Sequence, residues 1–265
     1  MERKGFRIEH KDEVARLILD RTEKHNAFDD ALIVDLTEAL ESLNRNVSVR
    51  VVVLVAEGPS FSAGGDLAWM QRAAKYDAAQ NLADARALAK LMATLDGMSK
   101  PTIAAVQGPA YGGGCGLIAA CDIAIAASEA IFALTEVRLG LIPAVIGPYV
   151  IRAIGQRQAR RLFLTAERFS AEEALRIGFI HEITAIKGLQ AAVDRTVYLL
   201  LQGGPKALGE AKKLVQELAD PEGQNFADAM AKKIAAMRQT PEGQEGIAAF
   251  LEKRKPAWVI NDKNK

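Results

Sequence analysis

A chain of 265 residues, 49% hydrophobic and 25% charged, has the composition of an ordinary globular protein and room for one large domain or two modest ones. Its 34 basic side chains against 33 acidic ones leave a net charge of +1, which argues against nucleic acid or an anionic membrane as a partner. No stretch approaches the ~18–20 apolar residues of a membrane span, and the charged start from Met1 to Glu9 shows no secretory leader, so a cytoplasmic location is expected.

In chain order, Phe6 to Ile8 and Val14 to Leu19 read as a pair of strands. Asp29 to Leu43 reads as a helix, with Asp29 as N-cap and Ile33, Leu36, Leu40 and Leu43 at helical spacing. The unbroken run from Arg50 to Val55 suits a strand buried on both faces. A helix follows from about Ala78 to Leu95, with Leu82, Ala85, Leu88, Ala89, Met92 and Leu95 along one side. Pro101 to Val106 is expected as strand, Gly113 to Ala120 as helix and Ile123 to Ala126 as strand, an alternation that implies a largely parallel sheet with crossover helices. From Gly188 onward the pattern is helical only, broken at Gly203-Gly204-Pro205, Pro221-Glu222-Gly223 and Pro241-Glu242-Gly243. Residues 1–190 are therefore expected to form an α/β core and 191–265 a helical region. No internal repeat is apparent in the sequence. The arginines at 152, 157, 160 and 161 read as a solvated helix face. Cys115 and Cys121 fit no metal pattern and are expected as free thiols, and His10, His25 and His181 are too scattered to suggest a metal site.

Two segments share one design, in which a buried strand runs into glycines and then into a helix. The first is Phe61-Ser62-Ala63-Gly64-Gly65-Asp66 after the strand at 51–56; the second is Gly112-Gly113-Gly114 after the strand at 102–106. Glycine lets the backbone approach a ligand closely, and a helix start adds unpaired N–H groups and a positive dipole end. Two such turns face to face would hold an oxygen that gains negative charge, although each alone also fits a plain strand-to-helix connection. Glu136 lies between apolar neighbours just before Gly140 and Pro143, where partial burial would lift its pKa into the range of a proton-transfer group; a surface pair with Arg138 is the alternative. A different chemistry is also open. Gly114-Cys115-Gly116-Leu117-Ile118-Ala119 fits a dinucleotide fingerprint with an acid about 20 residues on, which would make the chain a dinucleotide-binding oxidoreductase. That reading leaves the first glycine turn unexplained and requires a tight turn where Gln107 to Gly112 intervene.

At Phe61 to Asp66, Gly112 to Gly114 and Thr135 to Pro143 the sequence resembles the crotonase (enoyl-CoA hydratase/isomerase) superfamily, with similarity from Lys24-His25-Asn26-Ala27 to Phe250-Leu251-Glu252-Lys253. The resemblance implies a spiral of ββα repeats with a C-terminal helical region that packs in homotrimers or hexamers. It places oxyanion donors on the N–H groups of Gly65 and Gly113 and a catalytic carboxylate on Glu136. Lys24, Ala27 and Ala63, with Asp66, Leu67 and Trp69 in the same run, are expected to line the coenzyme A and substrate site, and Phe250 and Lys253 to reach the nucleotide end of the coenzyme. Coenzyme A is then part of the substrate, and no separate cofactor or metal is expected. A non-enzymatic RNA-binding role, known for one relative, conflicts with the near-neutral charge.

Two-glutamate hydratases of this superfamily carry a glutamate directly after Gly-Gly-Gly-Cys, and this chain has Gly116. One carboxylate suffices for an enoyl-CoA isomerase, which is the chemical alternative. The runs Phe61 to Met70, Thr135 to Ile146 and Leu164 to Phe169 resemble bacterial methylglutaconyl-CoA and isohexenylglutaconyl-CoA hydratases, which act in leucine and acyclic-terpene breakdown. That subgroup also has glycine at this position, which favours hydration of a 3-branched glutaconyl-CoA. Such a substrate has a distal carboxylate, which Arg138 would grip if the backbone from Glu136 were extended. Trp69, Met70, Leu82 and Leu91 are expected either to line an acyl pocket or to belong to the core.

Overall fold

The computed structural model describes residues 5–218 and 226–259, so the break expected at Pro221 lies outside the described residues. The elements are β1 (Phe6–Lys11), β2 (Val14–Leu19), α1 (Asp30–Arg45), β3 (Val51–Ala56), α2 (Leu67–Ala73), α3 (Ala78–Asp96), β4 (Thr102–Val106), β5 (Ala110–Tyr111), α4 (Gly113–Ala120), β6 (Ile123–Ala127), β7 (Ile131–Ala133), α5 (Gly147–Thr165), β8 (Phe169–Ser170), α6 (Ala171–Arg176), β9 (Glu182–Thr184), α7 (Leu189–Gln202), α8 (Pro205–Leu218), α9 (Phe226–Gln239) and α10 (Pro241–Leu251). Asp29 caps α1 as expected, accepting from the Leu32 N–H.

The large sheet has the order β1-β2-β3-β4-β6-β9, antiparallel at the first pair and parallel from β2 onward. A second sheet, β5-β7-β8, is made of two- and three-residue strands that the sequence pattern does not reveal. Ser62 joins this second layer through a bridge to Ala110. The chain thus repeats one path: β3 to Ser62 to α2, then β4 to β5 to α4, then β6 to β7 to α5. This is the expected α/β spiral of strand–strand–helix turns, repeated in space without a repeat in sequence. Phe132, Phe169 and Phe179 close the end of the small sheet with ring centroids 5.3–5.7 Å apart.

Alternate residues of the central strands face opposite layers. Val52, Leu54, Ala104, Val106, Ala124 and Ala126 belong to the main core, where they pack with residues of α1, α3 and α4. Val51, Val53, Ile103, Ala105 and Ile125 face the other way, onto Leu189, Ala192 and Val193 of α7. The helix α7 therefore packs as a layer on the large sheet, and the helices after Gly203 are called the helical extension. In α3 only the C-terminal half packs as its periodicity suggests: Leu91, Met92 and Leu95 are buried, whereas Leu82 is exposed.

Arg50 fastens the extension to the core. The residue is 7% exposed, and its side chain donates to Trp258 O (2.7 Å), Gly203 O (2.6 Å), Leu201 O (3.1 Å) and Glu13 Oε2 (3.1 Å). Arg50→Met preserves bulk but leaves these acceptors without their donor, and is expected to cost about 3 kcal/mol. A thermal melt with limited proteolysis tests this: the variant should melt lower and be cleaved after Gly203 first. An unchanged melt and cleavage pattern would show that the extension is held elsewhere.

Candidate active site

The first glycine turn follows β3 of the large sheet and the second follows β5 of the small one, and Ser62 splices them together. Its backbone N–H donates to Pro109 O and its carbonyl accepts from the Tyr111 N–H, so the first turn runs alongside β5, which leads into the second. The approach is close. A Cβ built on Gly64, where φ is +84°, would lie 2.8 Å from Tyr111 O and 3.5 Å from Gly113 N. A side chain at position 64 would force the turns apart.

The directions of the two amides follow from their bonded neighbours. Gly64 O accepts from the Phe28 N–H (2.8 Å), and across a trans peptide the next N–H points the opposite way. The Gly65 N–H is therefore aimed away from Phe28. Gly112 O accepts from the Gly116 N–H (3.2 Å) along α4, so the Gly113 N–H points out of the helix N-terminus. Among the described residues neither N–H has an acceptor. The arrangement leaves two uncommitted donors on adjoining turns, one of them at the positive end of a helix.

Glu136 opens a 3₁₀ turn, Glu136–Leu139, that follows β7. Because β7 pairs with β5, and the Gly112 N–H donates to Ala133 O (2.9 Å), this strand carries the acid to the second glycine turn. A Cβ on Gly112, whose φ is +49°, would sit 3.3 Å from Glu136 Oε1. Burial pushes the Glu136 carboxyl above its ordinary value of 4.5, a rise only partly offset by its own backbone N–H. Its Oε2 is buried and, among the described residues, has no hydrogen-bond partner. A carboxyl held against the second glycine turn, with one oxygen uncommitted, is equipped for proton transfer.

Arg138 is not brought to this acid. A 3₁₀ turn advances ~120° per residue, so side chains two apart diverge, and Arg138 is exposed with no ion pair to Glu136. The expectation of a shared face required extended backbone, which this segment lacks. Asp66 is also bound up in structure. Its Oδ1 accepts from the Ala68 and Trp69 N–H groups and caps α2, while Oδ2 holds Lys24 Nζ at 2.7 Å and lies 3.8 Å from Arg21. The hydrogen bond from Lys24 keeps the Asp66 carboxyl below its usual range. Lys24 is thereby tethered beside the first turn with its side chain 42% exposed. Ala27 is buried beneath that turn, whereas Ala63 and Leu67 are exposed on it.

Trp69 packs its ring near Gly65, 3.2 Å from where a Cβ would be, and its Nε1–H donates to Asp84 Oδ1 (2.9 Å) on α3. Leu91 is fully buried in the core and Leu82 is half exposed. Phe250 and Lys253 lie at the end of α10, which packs on α8 and α9; both are exposed and share no hydrogen bond with the glycine turns. Position 116 is closed to any side chain. A Cβ there would fall within the surface of Ile146 Cγ2 and 3.2 Å from Met92 Cε, both buried. Phe28 shapes the site yet belongs to no recognisable motif, and Ser62 and Ile146 lie in motif runs that do not disclose their roles; only tertiary packing reveals them.

The geometry disfavours a dinucleotide turn, since β5 is inserted between β4 and α4. Cys115 and Cys121 are free thiols, and burial raises both, Cys121 to about 12. Among the described residues no cluster of His, Cys, Asp or Glu has the makings of a metal site, and no helix is long and apolar enough to cross a membrane.

Comparison with known proteins agrees with this geometry. The family model described as Enoyl-CoA hydratase/isomerase matches residues 9–261. The crystal structure of an enoyl-CoA hydratase from Shewanella pealeana shares 48% identity, a TM-score of 0.94 and 97% coverage of both chains. The 2,3-dehydroadipyl-CoA hydratase of Escherichia coli is 34% identical over 257 residues, covering 94% of this chain and 96% of its own. The crotonyl-CoA hydratase of Syntrophomonas wolfei is 31% identical over 254 residues, covering 95% and 96%. The chain is thus an enzyme that belongs to the enoyl-CoA hydratase/isomerase family and has the crotonase fold.

Proposed function

We propose that this enzyme adds water across the C2=C3 bond of an enoyl-CoA, with Glu136 as its acid/base and the N–H groups of Gly65 and Gly113 as its oxyanion hole. The observation that carries the reading is the meeting of the two turns with the carboxyl of Glu136 over Gly112. The thioester oxygen sits between the two amides. Glu136 removes a proton from water as its oxygen bonds to C3, and the electron pair moves through C2 onto the thioester oxygen. The resulting enolate recovers a proton at C2 from Glu136, so one carboxyl serves both transfers. Coenzyme A enters as part of the substrate and no other cofactor is used. Lys24, with Ala27, Ala63, Leu67 and Trp69 around the first turn, belongs to the substrate cleft in this reading.

The acyl group we favour is a 3-branched glutaconyl chain, on the resemblance of residues 61–70 and 135–146 to hydratases of such esters and on the glycine at 116. That would place the enzyme in leucine or acyclic-terpene breakdown. A homotrimer or hexamer is the assembly we favour, because Leu199, Phe250 and Leu251 leave large apolar side chains 64%, 82% and 72% exposed. Isomerisation is the second reading, favoured by the one observation that Ile146 and Met92 occupy the room a second acid would need.

Incubation with simple and 3-branched glutaconyl-type enoyl-CoA esters, followed by mass analysis, separates the two. The expected result is gain of one water, fastest on the branched ester. A product of unchanged mass with a shifted double bond would replace hydration by isomerisation.

A further inference from the structure

Ser62 lies where the two glycine turns meet, and its side chain is fully buried in a cluster of polar contacts. Its Oγ accepts from the Gly64 N–H (3.2 Å) and donates to Asn26 O (2.9 Å). Asn26 is itself 1% exposed and sits with His25 in the left-handed region, at φ of 54° and 50°. Such backbone persists in residues other than glycine only when the surroundings fix it. The Asn26 amide provides part of that fixing, with Nδ2 donating to Glu57 O and Ser60 O, both at 2.8 Å. Gln107 Nε2 donates to the same Ser60 O (3.0 Å), and His25 Nδ1 lies 3.0 Å from Ser60 Oγ.

These contacts lead to the two peptides that flank Gly64. The Gly64–Gly65 peptide is held by Gly64 O against the Phe28 N–H, and the Ala63–Gly64 peptide before it by the Gly64 N–H against Ser62 Oγ. Ser62 therefore acts on the Gly65 N–H through Gly64, whose φ of +84° is fixed between these two held peptides. The opposite donor is tied to the same residue. The first turn of α4 packs onto Ser62, since a Cβ on Gly114 would lie 2.6 Å from Ser62 O and 2.9 Å from Ser62 Cβ. Ser62 therefore touches the supports of both amides while lying, with no surface exposed, behind the turn that carries the first of them.

We propose that the Ser62 hydroxyl is a positioning group of this enzyme: by linking the Gly64 N–H to Asn26 O it holds the Gly65 N–H in line with the Gly113 N–H. The inference rests on the reading of Gly65 and Gly113 as oxyanion donors. It assigns Ser62 no contact with substrate and no proton transfer. Its effect is on alignment, and misplacement of a reacting group by ~1 Å costs about 10²-fold in rate.

The test uses Ser62→Ala, which removes the hydroxyl, and Ser62→Cys, which replaces it with a slightly larger thiol that is a weak donor and acceptor. Two readouts accompany thermal melts of each. Steady-state kinetics on an enoyl-CoA should show kcat lowered roughly 10- to 100-fold for Ala and less for Cys, with KM within about twofold. Isotope-edited infrared difference spectra of bound butyryl-CoA, an unreactive thioester, report the polarisation of its carbonyl. The wild-type protein should shift the carbonyl stretch to lower frequency, Ser62→Ala should lose most of that shift, and Ser62→Cys should recover part of it. A general loss of packing would lower melting and occupancy without changing the carbonyl frequency of the ester that does bind. A full carbonyl shift and undiminished kcat in Ser62→Ala overturn the proposal. If Ser62→Ala does not fold, an undiminished shift in Ser62→Cys overturns it. A wild-type protein without any shift overturns the oxyanion reading itself, and Ser62 with it.

Discussion

Glu136→Gln is expected to lower kcat by about 10²–10⁴-fold while leaving coenzyme A affinity close to that of the parent. The change keeps the size and shape of the side chain and removes only its ability to take and return a proton. Among the described residues no other carboxylate stands beside Gly112, and position 116 is filled by Ile146 and Met92, so a substitute acid has no place to stand. The substrate's grip comes from elsewhere, which separates this loss from a binding defect. Steady-state kinetics combined with equilibrium binding of a non-reacting acyl-CoA measures both quantities. A glutamine variant that retains near-normal turnover ends the assignment of Glu136.

The same variant has a pH signature whose sign is fixed by burial. The folded-state pKa of Glu136 is raised above the ordinary 4.5, mainly by loss of hydration. The folded protein thus binds this proton more tightly than the unfolded chain does. Relative to glutamine, the parent has no penalty below the unfolded value and loses stability as pH climbs through the folded value. At neutral pH, Glu136→Gln is expected to melt above the parent, and the gap should close as the pH is lowered towards 4.5. Activity runs the opposite way. The base must be ionised, so the acidic limb of kcat/KM should lie above the range of an exposed glutamate. Melting curves and pH–rate profiles of the same preparation check the two limbs together. A buried charge whose removal stabilises the protein is a sign that selection has held it for chemistry rather than for the fold.

What the sequence disclosed and what it concealed follow from how far each feature depends on its own residues. The strands β3 and β4 announce themselves as continuous apolar runs because both faces are covered, and Asp29 and the helix it caps obey local rules. The strands β5, β7 and β8 are two or three residues long and exist because they pair with one another, so no local pattern marks them. Yet this small sheet is what carries Glu136 to Gly112. The acid and both glycine turns were therefore legible as motifs, while their meeting was not. Arg138 shows the converse. Its spacing from Glu136 suggested a shared face, and a 3₁₀ turn in place of a strand sent it into solvent. The helix α7 looked like the start of a separate region because its amphipathic pattern does not say which layer it covers; Ala192 and Val193 answer by packing on the sheet.

Gly116→Glu, the substitution that would restore a two-glutamate pattern, is expected to destabilise the protein by about 3 kcal/mol or more instead of adding a second catalytic acid. Helix propensity alone predicts the reverse, since replacing glycine inside α4 should gain up to ~1 kcal/mol. Packing outweighs it. The first atom of any side chain at 116 meets Ile146 Cγ2, and Met92 Cε lies 3.2 Å away; with Ile146 3% exposed and Met92 fully buried, neither can swing out into solvent. Overfilling a close-packed core costs ~1–3 kcal/mol, and an added carboxyl buried without a partner costs a similar amount again. For a chain of this size the sum corresponds to a drop in Tm of roughly 6–12 °C. Gly116→Ala separates the two contributions, because it adds the steric clash without the polar group and should show about half the loss. Thermal melts of the two variants decide the matter. If Gly116→Glu melts with the parent and turns over enoyl-CoA faster, the pocket is more yielding than its packing implies, and the glycine is a dispensable difference. If both variants melt low in the expected order, the single-carboxylate site is a property of the whole core around α4, which one substitution cannot convert.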